Sequence, residues 1–287
     1  MNKKLIIRHE YGQLGNILFR LSNTLAFAIE NGYRVEDYTL SFCNYHDGSS
    51  NIRFFENFHP FHFFEYPKPK FRFLNRIKWR LRLGSKTGIQ MVENFETSFD
   101  LTSLSNHSQI ELKGFHFCSN ELALKYREKI VKTLTFRKKY TDPIQAQLQK
   151  FRNTHKVLLG VHIRQNDFKD FYDGQFYHSC EIYRKHITNF IGFFNDPSDV
   201  GIVICTDDLS VLDDFWDFRP MMPKGNVAQD IYALSQCDYI LSAKATTMSN
   251  WSAYYNDRPI YRINKDQLPK NIQEYKNVSS LDSCKLF

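Results

Sequence analysis

The stretch KVLLGVHIRQNDF (156–168) runs from an apolar segment into His162, Arg164, Asn166 and Asp167. Within a few residues it supplies an imidazole, a planar guanidinium and a carboxylate: a proton-exchanging group, a rigid donor fork and an acceptor. The guanidinium is the most constraining of the three, because burying it unpaired is very costly and Arg164 therefore needs an anion. Two anions fit, the Asp167 carboxylate as an internal partner or a phosphate carried by a ligand, and a fork of five donors suits a diphosphate. A second acidic pair, Asp207-Asp208, follows the apolar run GIVICT (201–206). It lacks the intervening residue of a metal-binding D-x-D, and acids placed directly after a strand read as helix N-caps.

These groups need elements to position them. Lys156–Ile163 is dense in β-branched and aliphatic residues, as a central parallel strand covered on both faces should be. Downstream, a helix over 181–194, a strand over 201–206, a helix after Asp208, a helix over 230–237, a strand over 239–243, a helix from about Ser249 and a strand over 259–263 are expected. This alternation predicts an open parallel sheet with helices on both faces and a ligand at the carboxyl ends of its strands, which is where Arg164 falls. The chain also opens strand, turn, helix. Leu5–Arg8 leads through Gly12 and Gly15 into a helix with Leu18, Leu21, Leu25 and Ile29 at helical spacing, stopped at Asn31-Gly32. A strand over 110–117, a helix over 121–136 and a further helix entered at Asp142-Pro143 complete the first half. The span 35–101 is irregular and rich in Phe, His and Pro.

Composition sets wider bounds. A chain of 287 residues with 42% hydrophobic and 24% charged residues folds, and its length suits two domains of modest size. The net charge of +7 calls for an anionic partner, and much of the excess lies between Tyr66 and Lys86, where eight Lys and Arg alternate with apolar residues and no acid intervenes. That stretch reads either as a solvated basic helix over a core or as a peripheral contact with lipid headgroups or an anionic acceptor. The 26 Phe and 16 Tyr serve packing or stacking alike. The six cysteines form no C-x-x-C pair and read as free thiols rather than zinc ligands. No apolar stretch is long enough for a signal core or membrane anchor, so the expected location is cytoplasmic, with the 66–86 patch as a peripheral contact at the inner face of the membrane. Nucleic acid is not the expected partner, because the sharpest motif lies outside the basic patch and no recognition module appears.

Five segments, GQLGNILFRLSNTLAFAIENGY, LKGFHFCSNELALKYREKIVKTLTF, GVHIRQNDF, ICTDD and QDIYALSQCDYILSAKATTMSNWSAYYN, resemble in content and order the bacterial α-1,2-fucosyltransferases of glycosyltransferase family 11. The resemblance implies an α/β fold of GT-B type. It would have two Rossmann-like lobes with a cleft between them: residues 1–153 on the acceptor side and 154–287 binding the nucleotide sugar, with the C-terminal end packing back on the first lobe. It further implies GDP-fucose as donor substrate, a galactoside hydroxyl of a glycan as acceptor, inversion at the anomeric carbon, no metal and no other cofactor. Carried over by position, Arg164 would stabilise the departing β-phosphate. His162 and Asp230 would lie near the guanine, whose N1–H and N2–H suit a carboxylate. Thr246, Thr247 and Ser249 match a hydroxyl-rich turn before a helix that approaches the diphosphate. Asp167 would orient Arg164 or take the acceptor's proton, with Asp170 and Asp173 just beyond it. Asn16, at the start of the first helix, would face donor or acceptor, or serve as a helix cap. Two departures stand out. The family's Arg-Arg-Gly-Asp is RQND here, which replaces a second cation by Gln165, an amide still able to bond phosphate or sugar. SAKATTMSNW stands in place of an Asn-Ser-Thr-x-x-x-Trp pattern. Loss of the second Arg keeps open a transferase of another nucleotide sugar.

Overall fold

A computed structural model describes residues 3–7, 12–37, 51–56, 64–65, 89–93, 106–113, 120–223 and 225–278. The basic stretch 66–86, most of the irregular span 35–101, positions 114–117 of the expected strand and the terminal residues 279–287 lie outside the described residues. The chain forms two compact units, Met1–Arg137 and Lys138–Phe287.

The first unit holds a parallel sheet of β1 (Lys4–Ile7), β2 (Arg34–Asp37), β3 (Phe64–Glu65), β4 (Ile89–Glu93) and β5 (Gln109–Lys113), in the order β3-β2-β1-β5-β4. Helix α1 (Leu14–Asn31) follows β1 and buries nearly every side chain as far as Ala28, including Arg20. Burial lowers the Arg20 pKa, and the charge of Asp37 opposes the shift. Asn23 and Thr24 satisfy themselves inside the helix by bonding the Phe19 and Arg20 carbonyls. At the C-terminus Gly32 takes the left-handed conformation that the Asn-Gly stop predicts. The single helix expected over 121–136 is instead two, α2 (Asn120–Lys125) and α3 (Arg127–Thr133). The break has a cause in another element. Lys125 and Tyr126 both bond the Glu30 carboxylate of α1, at 2.8 and 2.5 Å, and consecutive residues of an unbroken helix do not face the same point.

The second unit opens with α4 (Lys138–Arg152), which begins five residues before the proline expected in its first turn. Pro143 cannot donate to the carbonyl four residues back, a cost of about 3 kcal/mol or more. The buried stripe Thr141, Ile144 and Leu148 holds the helix together across it. This helix belongs to the second unit although the sequence boundary was drawn at 153: Gln229 Nε2 bonds the Tyr140 carbonyl at 3.3 Å, and Arg152 pairs with Asp238 at 2.9 Å.

Four parallel strands follow, β6 (Val157–Ile163), β7 (Val200–Thr206), β8 (Tyr239–Ser242) and β9 (Ile260–Arg262), in the order β7-β6-β8-β9. Helix α5 (Cys180–Ile191) joins β6 to β7, α6 (Val227–Gln236) precedes β8, and α7 (Thr247–Asn256) joins β8 to β9. Side chains of β6 alternate between two buried faces. Leu159, Val161 and Ile163 share a core with Tyr183, Ile187 and Phe190 of α5. On the other face lie Gly160 and His162. A Cβ at Gly160 would sit 3.0 Å from both Leu234 Cδ2 and Cys237 Sγ, so this glycine lets α6 approach the sheet closely. Gly160→Ala is expected to cost about 1–3 kcal/mol through overpacking, read as a lower denaturation midpoint at unchanged m-value.

Because β6 is flanked by β7 on one side and β8 on the other, the chain reverses its direction of travel through the sheet at β6. Open α/β sheets bind ligands outside the carboxyl ends of the strands at such a point.

Candidate active site

His162, the next-to-last residue of β6, is 3% exposed, and its Nδ1 lies 2.6 Å from Ser249 Oγ in the first turn of α7. Thr246, the residue before that helix, donates to the same Ser249 oxygen at 2.8 Å. Thr246, Ser249 and the His162 imidazole thus form one buried hydrogen-bonded chain. Burial, and after it the charge of Arg164, lowers the His162 pKa to about 3, so the ring is neutral throughout the physiological range. Ala245 holds a left-handed backbone, φ 58°, which turns the chain from β8 into α7 and brings Thr246 back over Ser242 and Ala243. The imidazole therefore ties the end of β6 to the amino end of a ten-residue helix whose first-turn amides are natural anion donors. Thr247 is the first residue of that helix.

Arg164 lies just past the strand with an 18% exposed side chain. Its Nε and Nη2 donate to Asp167 Oδ1 and Oδ2, both at 2.8 Å, and Nε also lies 3.3 Å from Asp207 Oδ2. Asp167 is thus an internal partner of this cation, and the two carboxylates bond Nε and Nη2 rather than the edge formed by Nη1 and the second Nη2 hydrogen. Asp167 is 57% exposed, whereas Asp207 is only 20% exposed. Asp207 Oδ1 accepts from the Gln165 amide at 2.8 Å, and its carbonyl accepts from Asn166 Nδ2 at 2.6 Å. One aspartate therefore fixes three consecutive residues, 164 to 166.

The acidic pair divides its work. Asp208 is the N-cap, accepting from the amide and hydroxyl of Ser210 at the head of the 3₁₀ segment Leu209–Phe218. Asp207 is no cap but the anchor of Arg164, a role that sequence reading assigned to neither acid. Gln165 requires a correction as well. Its side chain is not available to phosphate or sugar: it is 2% exposed, and Nε2 donates to the His178 carbonyl at 2.9 Å. The residue after Arg164 points to the opposite side of the chain and into the core.

Asp230 sits in the first turn of α6, after the reciprocal capping box of Asn226 and Gln229. Its carbonyl accepts from Cys205 Sγ at 3.7 Å, and Cys205 is the register partner of His162 on β7. His162 and Asp230 thus flank one cysteine. Burial alone raises the Asp230 pKa to about 7. Asn16 belongs to the first unit, in the opening turn of α1 beyond the carboxyl end of β1. The N-cap position there is Gln13 rather than Asn16. Gly12, at φ 65°, makes room for the Asn16 amide, which a Cβ would approach to 2.0 Å. Among the described residues no group of three or more His, Cys, Asp or Glu is placed to hold a metal ion.

No protein-family model matches this sequence, and no curated protein matches it. Solved structures do. The fucosyltransferase NodZ from Bradyrhizobium has a TM-score of 0.59 at 13% identity, over 94% of this chain and 98% of its own. POFUT1 in complex with GDP-fucose has a TM-score of 0.61 at 11% identity, over 94% and 97%. FUT1 of Arabidopsis thaliana, solved with GDP, has a TM-score of 0.60 at 8% identity, over 98% of this chain and 75% of that one. The chain has the α/β fold of GT-B type that these structures share. With this fold, the parallel sheet of the second unit is one of the two Rossmann-like sheets, and His162, Arg164, Asp207, Asp230 and the head of α7 cluster at its carboxyl edge. Identity this low carries the fold alone, so the chemistry rests on the residues themselves.

Proposed function

We propose that this protein is a GDP-fucose-dependent fucosyltransferase, inverting and independent of metal, that transfers fucose to a galactoside hydroxyl of a glycan through an α-1,2 linkage. The observation that carries the proposal is the Arg164 fork at the turning point of a parallel sheet, held through Nε and Nη2 by two carboxylates that do not use its Nη1 edge. The β-phosphate of GDP would take that edge, and the guanine would bond Asp230. Thr246, Thr247 and Ser249, with the first amides of α7, would donate to the diphosphate. Charge leaving with GDP as the C1–O bond breaks would then fall on a fixed guanidinium and fixed dipoles, which do for a diphosphate what a metal does elsewhere. The acceptor oxygen attacks C1 from the opposite face, which inverts it, and its proton passes to a carboxylate or to water. Asp167 is first the orienter of Arg164 and second the candidate base. Asn16 would contact donor or acceptor from the first unit.

Support for the donor is the shared fold together with the GDP-fucose in one neighbour's complex; support for the linkage is the motif resemblance only, since another NodZ crystal, soaked with GDP-fucose, is of an α-1,6-fucosyltransferase. No helix among the described residues is long and apolar enough to cross a membrane, and a cytoplasmic location with a peripheral contact through 66–86 is part of the proposal.

Thermal shift with GDP, UDP, CDP and a random oligonucleotide tests the donor class. GDP at a hundred times its Kd should stabilise by about 2.7 kcal/mol, and the other three should not. A shift with UDP or CDP alone, or with the oligonucleotide, would replace the reading. Product analysis by linkage-specific fucosidases then tests α-1,2.

A further inference from the structure

Directly after Asp167 the chain makes a compact excursion, residues 167–177, before α5. The amide of Phe171 bonds the Asp167 carbonyl at 2.9 Å, that of Gly174 the Phe171 carbonyl at 3.2 Å, and that of Tyr177 the Gly174 carbonyl at 2.9 Å. Tyr172, Asp173 and Gly174 are consecutive left-handed residues, with φ of 47°, 54° and 71°. A Cβ on Gly174 would approach the Lys169 carbonyl to 2.9 Å, so the turn requires glycine there. This backbone is unusual for a bulky residue such as Tyr172, and it leaves the ring 54% exposed.

The exposed ring stands on an aromatic stack that begins at the Arg164 guanidinium. Phe168, 5% exposed, has its ring 5.8 Å from the guanidinium carbon; Phe171 stacks on Phe168 at 5.6 Å; Tyr172 meets Phe171 edge-on at 4.8 Å and Phe176 at 6.2 Å. The rings below restrain the Tyr172 side chain, so a ligand stacking on it loses little further side-chain entropy. Along this segment the other exposed residues are Asn166, Asp167, Lys169, Asp170, Asp173 and Gln175, five of them with planar amide or carboxylate groups. Apart from Asp167, which pairs with Arg164, the segment carries Asp170 and Asp173 against the single Lys169, so on a chain of net charge +7 it does not favour an anion. A flat apolar ring bordered by amides and carboxylates matches a neutral polyhydroxylated ligand, which offers one C–H face for stacking and a rim of hydroxyl donors.

We infer that the 167–177 excursion is the acceptor subsite, with Tyr172 stacking against a sugar ring of a neutral oligosaccharide and Asp170 and Asp173 accepting from its hydroxyls. The inference rests on the proposed glycosyl transfer and adds to it the chemical class and the location of the acceptor. The stack fixes Tyr172 a few ring widths from Arg164, which suits an acceptor that extends away from the diphosphate.

The test uses the full chain, with lactose, N-acetyllactosamine and chitotetraose as probes. Saturation-transfer NMR reads saccharide binding without turnover, and a GDP thermal shift is run in parallel. At least one probe should bind wild type; Tyr172→Ala should weaken it about tenfold, while Tyr172→Phe and Tyr172→Trp keep it. GDP binding should be unchanged in all three variants, and in transfer assays the acceptor KM should rise with little change in kcat. Binding of no probe, or binding that ignores Tyr172→Ala, overturns the subsite even where GDP binds normally. A tenfold loss of GDP affinity in Tyr172→Ala also overturns it, by making the ring a base-stacking platform. If GDP fails to bind wild type while saccharide binding still depends on Tyr172, the donor reading falls and the saccharide subsite stands.

Discussion

Arg164→Ala is expected to abolish most of the GDP-dependent thermal shift while leaving the ligand-free melting temperature within a few degrees of wild type. Both halves follow from the geometry. Truncating one member of a desolvated, hydrogen-bonded charge pair costs about 2–5 kcal/mol of binding, which raises the Kd for GDP by about 30-fold to several thousandfold. The ligand-free protein is less affected because neither carboxylate is stranded. Asp167 is 57% exposed and hydrates, and Asp207 keeps its bond from the Gln165 amide. Arg164→Lys should recover part of the affinity through charge, but a point charge cannot bond Asp167 side-on and a phosphate end-on together, so turnover should remain far below wild type. Calorimetry with GDP and a melting curve without it decide the matter. A large loss of ligand-free stability with GDP affinity retained would make Arg164 a structural ion pair and end the catalytic assignment. Asp207→Ala provides an internal control: it removes the side-chain anchor of residues 164 and 165 without removing the cation or the carbonyl that holds Asn166, so it should lower kcat more than it raises the Kd for GDP.

That control was hidden from sequence reading for a reason that register explains. β6 pairs with β7 so that Ile163 lies beside Thr206, and the next residues, Arg164 and Asp207, emerge side by side. Neither apolar run by itself shows which strand is its neighbour or in what register, and a partner 43 positions away leaves no periodic signal. Local patterns were readable. The aliphatic run of β6, the stripe of α1, its Asn-Gly stop and the strand-helix alternation of the second unit depend on spacing within one element, and each lies where spacing placed it, within a few residues. Features set by contacts between elements were not readable: the break at Tyr126, which Glu30 of α1 imposes; the helix that continues through Pro143, which its buried stripe sustains; and the inward turn of Gln165, which the His178 carbonyl captures. The candidate site shows the same division. The type and order of His162, Arg164 and Asp167 were visible along the chain, but the His162–Ser249 tie spans 87 positions and needed the fold.

GDP binding should strengthen with pH through Asp230, because the guanine N1–H and N2–H need an ionised acceptor. Burial raises that carboxyl to about 7, so in the free protein it is about half protonated at neutrality, and below pH 7 each unit should weaken GDP binding by up to tenfold. Between pH 8.5 and 5.5 the Kd should rise about 30-fold, with a plateau at the alkaline end. The terminal phosphate of GDP titrates in the same range, near pH 6, and Asp230→Asn separates the two: the variant keeps the phosphate's contribution and loses the step centred at 7. The stability of the free protein should run the other way. The folded carboxyl holds its proton more tightly than the unfolded one, so its cost to folding is absent below the unfolded value near 4, grows as pH rises and is complete above about 7, where it amounts to at most about 4 kcal/mol. Asp230→Asn should therefore raise the ligand-free melting temperature at pH 8 and leave it almost unchanged at pH 4, while weakening GDP at pH 8, where the carboxylate is ionised. Melting curves at the two pH values read this directly: equal shifts would mean that the carboxylate is neutralised by some other group, and a variant that binds GDP as well as wild type would remove Asp230 from the guanine site. On the proposed pose a carboxylate that is costly in the empty protein would favour guanine, because a base lacking two adjacent N–H groups would leave it without those two bonds.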